Sequence, residues 1–471
     1  MPIKNLSRRS FLTTVTGGIA AAAMADTLPF ENIYHHIDNN SGNAIKLGVF
    51  DVDATPPVGS HLTYDPMINS SDQGLRAKGI VLTGSGHPIV LCAVDWIGIS
   101  NESQDVFKEA MAESASTTPD RVVVHTLHQH DAPICDFTAE RLLREKDLPA
   151  GCFDGTFARV VVKRIQRSIA DSLLKLQDVT HVGLGKAPVF QVASNRRVDK
   201  IDGKVGVMRG SSCSDPRLRN LPEGVIDPDV SLISFWNNNT PLAVLSFYAT
   251  HPQSYYRTGV ANPDFPGIAR YLRQLEIPDA LHVHFNGAGG NIAAGKYNDG
   301  SHEMRYILAK RVADGMKRAW ENTQRYSVNS DNVTWSVTPV LLPCNPKIAD
   351  IEKEMVTKDG IYLANHLGRL GWYKRTLQQK PIGFACLGIN NARIFFMPGE
   401  LFVEYQLAAK AKAPDKFVAM AAYGDYGPFY VGTKDAYQEG GYEILSSPVT
   451  EEAESVIMRA IDDLYSQSNK V

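Results

Sequence analysis

Thr126-Leu127-His128-Gln129-His130-Asp131-Ala132-Pro133 follows the run Arg121 to Val124, which reads as a buried β-strand. If the backbone stays extended, residues i and i+2 point to one face, so His128 and His130 leave the strand end together. Two imidazoles so placed suit a metal ligand with a general base or electrophile beside it. The plain alternative is a strand end carrying two solvent-facing or hydrogen-bonded histidines.

Three other strand ends carry polar groups. Pro241 to Thr250 delivers His251-Pro252, Ile394 to Met397 delivers Pro398-Gly399-Glu400, and Val418 to Tyr423 opens into a loop with Tyr426, Tyr430, Tyr437 and Tyr442. Ligand sites form at strand ends in open α/β sheets. A fifth segment, Phe285-Asn286-Gly287-Ala288-Gly289-Gly290-Asn291, follows the strand Leu281 to Phe285 and lets backbone N–H groups approach a ligand. It runs on to Gly295-Lys296 and nearly matches a phosphate-binding loop. The next residue, however, is Tyr297 rather than the Ser or Thr that holds magnesium, which argues against a nucleotide.

The composition, 44% hydrophobic and 21% charged, is that of an ordinary globular protein, and a net charge of −3 points to no nucleic-acid partner. Ser7-Arg8-Arg9-Ser10-Phe11-Leu12, a mildly apolar stretch to Ala23 and the small-x-small Ala23-Met24-Ala25 read as a twin-arginine leader over residues 1–25, giving a periplasmic or secreted protein. Residues 26–44 read as a polar linker. No later run has the roughly eighteen apolar residues of a spanning helix. The six cysteines contain no CxxC pair, and Cys135, near the histidines, reads as a small buried apolar residue.

Strand and helix patterns mix from Ile45 onward, with no internal repeat in the sequence and no dividing linker. The expectation is one α/β unit over 45–471, with mixed sheets and flanking helices. The segment 156–176 places Val160, Val161, Ile165, Ile169 and Leu173 at helical spacing, which predicts one apolar face.

Taken in order, these stations resemble the neutral/alkaline ceramidase family over about residues 45–450, its N-terminal catalytic domain. Thr126 to Pro133 is similar to that family's Thr-His-x-His-Ser-Gly-Pro, Ala249-Thr250-His251-Pro252 to its Ala-x-His-Pro, and Pro398-Gly399-Glu400 to its Pro-Gly-Glu. Tyr430-Val431-Gly432-Thr433, with Tyr437 and Tyr442-Glu443, resembles its Tyr-rich stretch, and Asn195-Arg196-Arg197 its Asn-Arg element. The resemblance implies a Zn2+ ion held by His128, His251, Glu400 and Tyr430, with Tyr426 the fallback for the last. It implies His130 as acid/base or oxyanion partner, Arg196 as holder of a substrate oxygen, and Asn291 as a further catalytic position. The substrate would be a small or lipid-like molecule.

The sequence departs from that pattern at Ala293, where the family carries a catalytic Ser, and the resemblance is expected not to extend to the family's C-terminal β-rich domain. The expected chemistry is therefore zinc-assisted attack of water on an amide C–N bond, with N–H groups of the glycine-rich loop stabilising the oxyanion. The alternatives are an esterase, lactonase or carbohydrate-linked hydrolase, and a binding protein whose catalysis has decayed.

Overall fold

The computed structural model describes residues 44–69, 73–198, 200–355 and 360–468, with backbone alone for 360–365. The leader at 1–25 and the linker up to residue 43 lie outside the described residues.

Three successive stretches of chain build three sheets on one plan. The first consists of β1 (Ile45–Asp53), β2 (Arg76–Thr83), β3 (Ile89–Val94), α1 (Glu102–Ala115), β4 (Val122–Thr126), α2 (Thr156–Leu173) and β5 (Gln177–Val179). Its strands lie in the order β4-β3-β2-β1-β5. β1, β2 and β3 form an antiparallel meander, and β4 returns parallel to β3 after the α1 crossover. The second stretch repeats this with β6 (His181–Pro188), β7 (Asp229–Asn237), β8 (Thr240–Tyr248), α3 (Asp264–Glu276), β9 (Leu281–Asn286), α4 (His302–Glu321) and β10 (Gln324–Ser327). Here β9 is parallel to β8, and β10 closes on β6 as β5 closes on β1. The third has β11 (Val333–Val340), β12 (Ile382–Ile389), β13 (Ala392–Phe396), α5 (Val403–Lys412), β14 (Phe417–Ala421) and α6 (Ala453–Ser468), again with the last strand parallel to its neighbour. A sequence without a readable repeat thus folds into a repeated topology.

Period-two alternation explains how the sheets pack. Ile89, Leu91 and Ala93 of β3, Ala243, Leu245 and Phe247 of β8, and Ile394 and Phe396 of β13 share one central core. The alternate residues face outward, each set under its own pair of helices. Val90, Cys92 and Val94 pack with Phe107 of α1 and Ile165 of α2. Val244 and Tyr248 pack with Phe265 of α3 and Leu308 of α4. Val418 and Met420 pack with Tyr405 of α5 and Ile461 of α6. Buried on both faces, these strands read as continuous apolar runs. The architecture is the mixed α/β arrangement with flanking helices that the sequence predicts.

The three parallel edge strands converge at their C-terminal ends. Thr126 N–H donates to Tyr423 O (2.9 Å), Ala422 N–H to Asn286 O (2.9 Å), and the Asn286 amide to Leu127 O (3.5 Å). The loops that leave this junction carry the polar residues singled out above.

Candidate metal centre

His128 does not continue the strand. β4 ends at Thr126, and His128 has a φ of +65°, in the left-handed region that a non-glycine residue rarely occupies. Its N–H donates to Trp96 O (2.9 Å) and its Nδ1 lies 2.7 Å from Ile97 O. Those two carbonyls hold the strained conformation. The two imidazoles still meet, ring centroids 5.0 Å apart and nearly perpendicular, but through a turn and not through extended alternation.

The Nδ1–H···O=C bond to Ile97 fixes the tautomer and leaves the His128 Nε2 lone pair free. That nitrogen lies 3.4 Å from Glu400 Oε2, and His251 Nδ1 lies 3.7 Å from the same oxygen. Two atoms that each bind a tetrahedral zinc at its usual bond length lie about 3.3 Å apart. Among the described residues neither Glu400 Oε2 nor His251 Nδ1 has a hydrogen-bond partner. Two buried acceptors left unpaired beside a third is what a divalent ion would satisfy. His130 joins the group: the ligand atoms of His128, His130 and His251 all lie within 4.8 Å of one another. Its Nε2 is 3.1 Å from His251 Nε2, and its Nδ1 is 3.2 Å from the Tyr64 hydroxyl.

Burial sets the electrostatics. It holds the His128 imidazole down to about 3, and pushes His130 and His251 well below the usual histidine value, so all three are neutral at ordinary pH. Burial raises the Glu400 carboxyl to about 7, against the opposing pull of Tyr426 and Arg196. A cation would reverse that cost.

Glu400 pairs with Tyr430 in a short parallel bridge. The Tyr430 hydroxyl accepts from Arg196 Nη1 (3.1 Å), while the Tyr426 hydroxyl donates to Glu400 Oε1 (2.8 Å). The two tyrosines differ accordingly, Tyr426 orienting the carboxylate and Tyr430 bonded to Arg196. The ring of Tyr423 stacks over His128, centroids 4.8 Å apart.

The Asn291 Oδ1 accepts from Val403 N–H (2.9 Å) and its Nδ2 donates to Glu404 (2.8 Å), which ties it to the start of α5. The glycine-rich loop does not present a row of free donors. Gly287 N–H bonds Tyr248 O, Ala288 N–H bonds Gln406 Oε1, and Gly290 N–H bonds Leu401 O. Its glycines serve close packing instead. A Cβ on Gly290 would stand 2.3 Å from Glu400 O, and one on Gly289 would stand 3.0 Å from the Thr250 carbonyl carbon and 3.2 Å from His251 N. The bare backbone lets the loops bearing His251 and Glu400 close on each other. Cys135 is buried in the outer core of the first sheet, and all six cysteines are free. Ala293 is fully buried in a two-residue strand against Ser194–Asn195.

Residues that sequence reasoning passed over include Tyr64, Tyr423 and the carbonyls of Trp96 and Ile97. Asp131 is another: its carboxylate accepts from Arg257 N–H (2.8 Å) and the Thr258 hydroxyl (2.8 Å), fixing the loop that carries Tyr256 against His130. The Thr-Leu-His-Gln-His-Asp run held that signal, since a buried Asp beside a His pair needs donors.

No protein-family model matches the chain, and no curated protein matches it. Among solved structures it is similar to the neutral ceramidase from Pseudomonas aeruginosa, at 14% identity and a TM-score of 0.65, over 91% of this chain and 75% of that one. It is similar also to a ceramidase complexed with C2, at 15% identity and a TM-score of 0.62, over 90% and 75%. The chain has a ceramidase-like fold, with a cluster of histidines able to hold a metal where its three sheets converge.

Proposed function

We propose that the protein is an exported, zinc-dependent hydrolase that cleaves an amide C–N bond. The carrying observation is the unpaired Glu400 Oε2 facing His128 Nε2 and His251 Nδ1 in a fully buried setting. His128, His251 and Glu400 would hold the ion, with Tyr430 beside them. Neutral imidazoles, a carboxylate and a phenol suit zinc. When bound, zinc acts as a Lewis acid toward a carbonyl oxygen and lowers the pKa of water.

The chain's own groups do the rest. Arg196, buried and cationic, is placed beside Tyr430 to stabilise charge on the carbonyl oxygen. His130, held neutral and braced by Tyr64, takes the proton from the attacking water and returns it to the leaving nitrogen. Water adds to the carbonyl carbon, the C–N bond breaks, and acid and amine leave. Ala293 at the family's serine position makes this a diverged site without that hydroxyl. The same substitution favours a second reading, hydrolysis of an ester, lactone or carbohydrate-linked substrate.

Metal analysis of the purified protein, with a panel of short-chain amides and esters on wild type and His130→Ala, tests the proposal. Stoichiometric zinc and chelator-sensitive amide cleavage that falls at least about a hundredfold in His130→Ala is expected. Absence of metal, or activity indifferent to chelator, removes the reading. Export rests on the twin-arginine pattern at Ser7 to Leu12, and among the described residues no helix is long and apolar enough to cross a membrane. Cell fractionation of the wild type and of a variant with Arg8 and Arg9 replaced by Lys checks it: the wild type is expected to be exported and the variant retained.

A further inference from the structure

We propose that a cleft between α1 and the loop after β14 binds a small dipolar ion of the amino-acid class, glycine in size. Its carboxylate would lie on Lys108 and Arg375, and its ammonium on Asp425 and Gln104. The site does not depend on the hydrolase reading.

The cleft has a volume of about 90 Å³. Gln104, Asp105 and Lys108 of α1, Arg375 of the helix Gly360–Leu377, and Asp425 all line it, while His128, His251 and Glu400 do not. Gln104, Arg375 and Asp425 are 6%, 8% and 6% exposed, and each buries one unpaired atom. Asp425 Oδ1 accepts from Asn101 N–H (3.1 Å) and Gly427 N–H (3.0 Å), which fixes the carboxylate and leaves Oδ2 without a partner among the described residues. The Gln104 Nε2 donates to Val124 O (2.9 Å), which sets the orientation of the amide and leaves Oε1 unpaired. Arg375 is held through both Nη atoms by Asp105 (2.6 and 3.2 Å), and its Nε is unpaired. Buried atoms of this kind are costly, and native proteins keep few of them without a partner. Here three belong to the walls of one cleft.

The charges narrow the choice of occupant. Asp105 is answered by Arg375 and by Lys380 Nζ (2.7 Å). Lys108 has no ion-pair partner among the described residues. Burial pulls its ammonium below the ordinary lysine range, against the attraction of Asp105 and Asp425. One cation and one anion, Lys108 and Asp425, are therefore left facing the same small space. A lone anion would meet Lys108 and be repelled by Asp425, and a lone cation would do the reverse. Water would fill the volume and bring no counter-charge to either. A dipolar ion meets both: its ammonium donates to Asp425 Oδ2 and Gln104 Oε1, and its carboxylate accepts from Lys108 Nζ and Arg375 Nε. A cavity of about 150 Å³ takes benzene, so this cleft admits about four or five heavy atoms, the size of glycine.

Isothermal titration calorimetry of the purified full chain with glycine, sodium acetate and methylammonium chloride tests the proposal. Charge-assisted hydrogen bonds at both ends predict a dissociation constant for glycine of about 1 mM or below. Each single-charge probe should bind at least about tenfold more weakly, because it makes only half of these bonds and faces one like charge. Lys108→Met keeps the side-chain stem and removes the ammonium, and it should weaken glycine by about tenfold or more. A thermal melt confirms that the variant is folded, and the preference of the wild type for glycine needs no variant at all. Glycine held elsewhere, on a metal ion for instance, would not respond to Lys108→Met. No saturable binding of glycine, equal affinity for glycine and either single-charge probe, or glycine binding that survives Lys108→Met overturns the inference.

Discussion

The first and third sheets end on the same topology, yet they build their share of the centre in opposite ways. In the first, the ligand-type residue His128 comes from the loop after the parallel edge strand β4, and the loop after β3 supplies the brace through the carbonyls of Trp96 and Ile97. In the third, Glu400 comes from the loop after β13, and the edge-strand loop braces it through the Tyr426 side chain. The second sheet follows the third, with His251 after β8 and the glycine-rich loop after β9 packed against it. Each pair of parallel strands thus ends in one loop that presents a group and one that holds it. A brace made of backbone carbonyls survives side-chain substitution, whereas a brace made of side chains or of missing side chains does not.

That contrast can be broken or sharpened by substitution. The largest effect is expected from removing a presented group. A quarter of the roughly 10–16 kcal/mol with which four ligands hold zinc predicts that His251→Ala or Glu400→Ala weakens the metal by about 60- to 900-fold, by competition with a chromophoric chelator. Affinity within tenfold of wild type would refute the assignment. Next is the brace of missing side chains. Gly290→Ala forces a Cβ against the Glu400 carbonyl and should cost about 3 kcal/mol, read from the urea midpoint. A neutral result would mean that the loops do not need their close approach. Tyr426→Phe removes only the bond to Glu400 Oε1 and should weaken metal binding about tenfold. Unchanged affinity would show that the carboxylate orients itself. The smallest effect is expected at Asn291→Ala, which uncaps α5 and should lower stability by about 1 kcal/mol. A loss several times larger would give that amide a wider role.

Much of this centre was legible because the strands that lead to it are buried on both faces. Val122 to Val124 and Ile394 to Phe396 stand out as apolar runs, Leu281 to Phe285 alternates apolar residues with His282 and His284, and only a few polar residues come directly after each strand. β6 escaped notice because Gly183 and Gly185 interrupt its pattern. A Cβ on Gly185 would lie 2.0 Å from Ala319 O, so the glycine that hides the strand from the sequence is what lets α4 lie on it. The threefold topology was invisible because it repeats connections and not residues. The left-handed backbone of His128 was hidden too, since its causes are two carbonyls some thirty positions earlier, and a carbonyl carries no signature in sequence. For the same reason the bonds of Asn291 were hidden: its partners Val403 and Glu404 are distant in sequence and met only in the fold.

His128, His251 and Glu400 belong to three different sheets, each built from its own continuous stretch of chain. No one sheet, and no pair of them, holds all three groups. An ion held by these three groups would therefore report on completion of the whole assembly: an intermediate with one sheet undocked would release it, and an ion that binds only the finished arrangement adds its free energy to that state alone. Chelation should then loosen the docking of the sheets before it unravels any one of them.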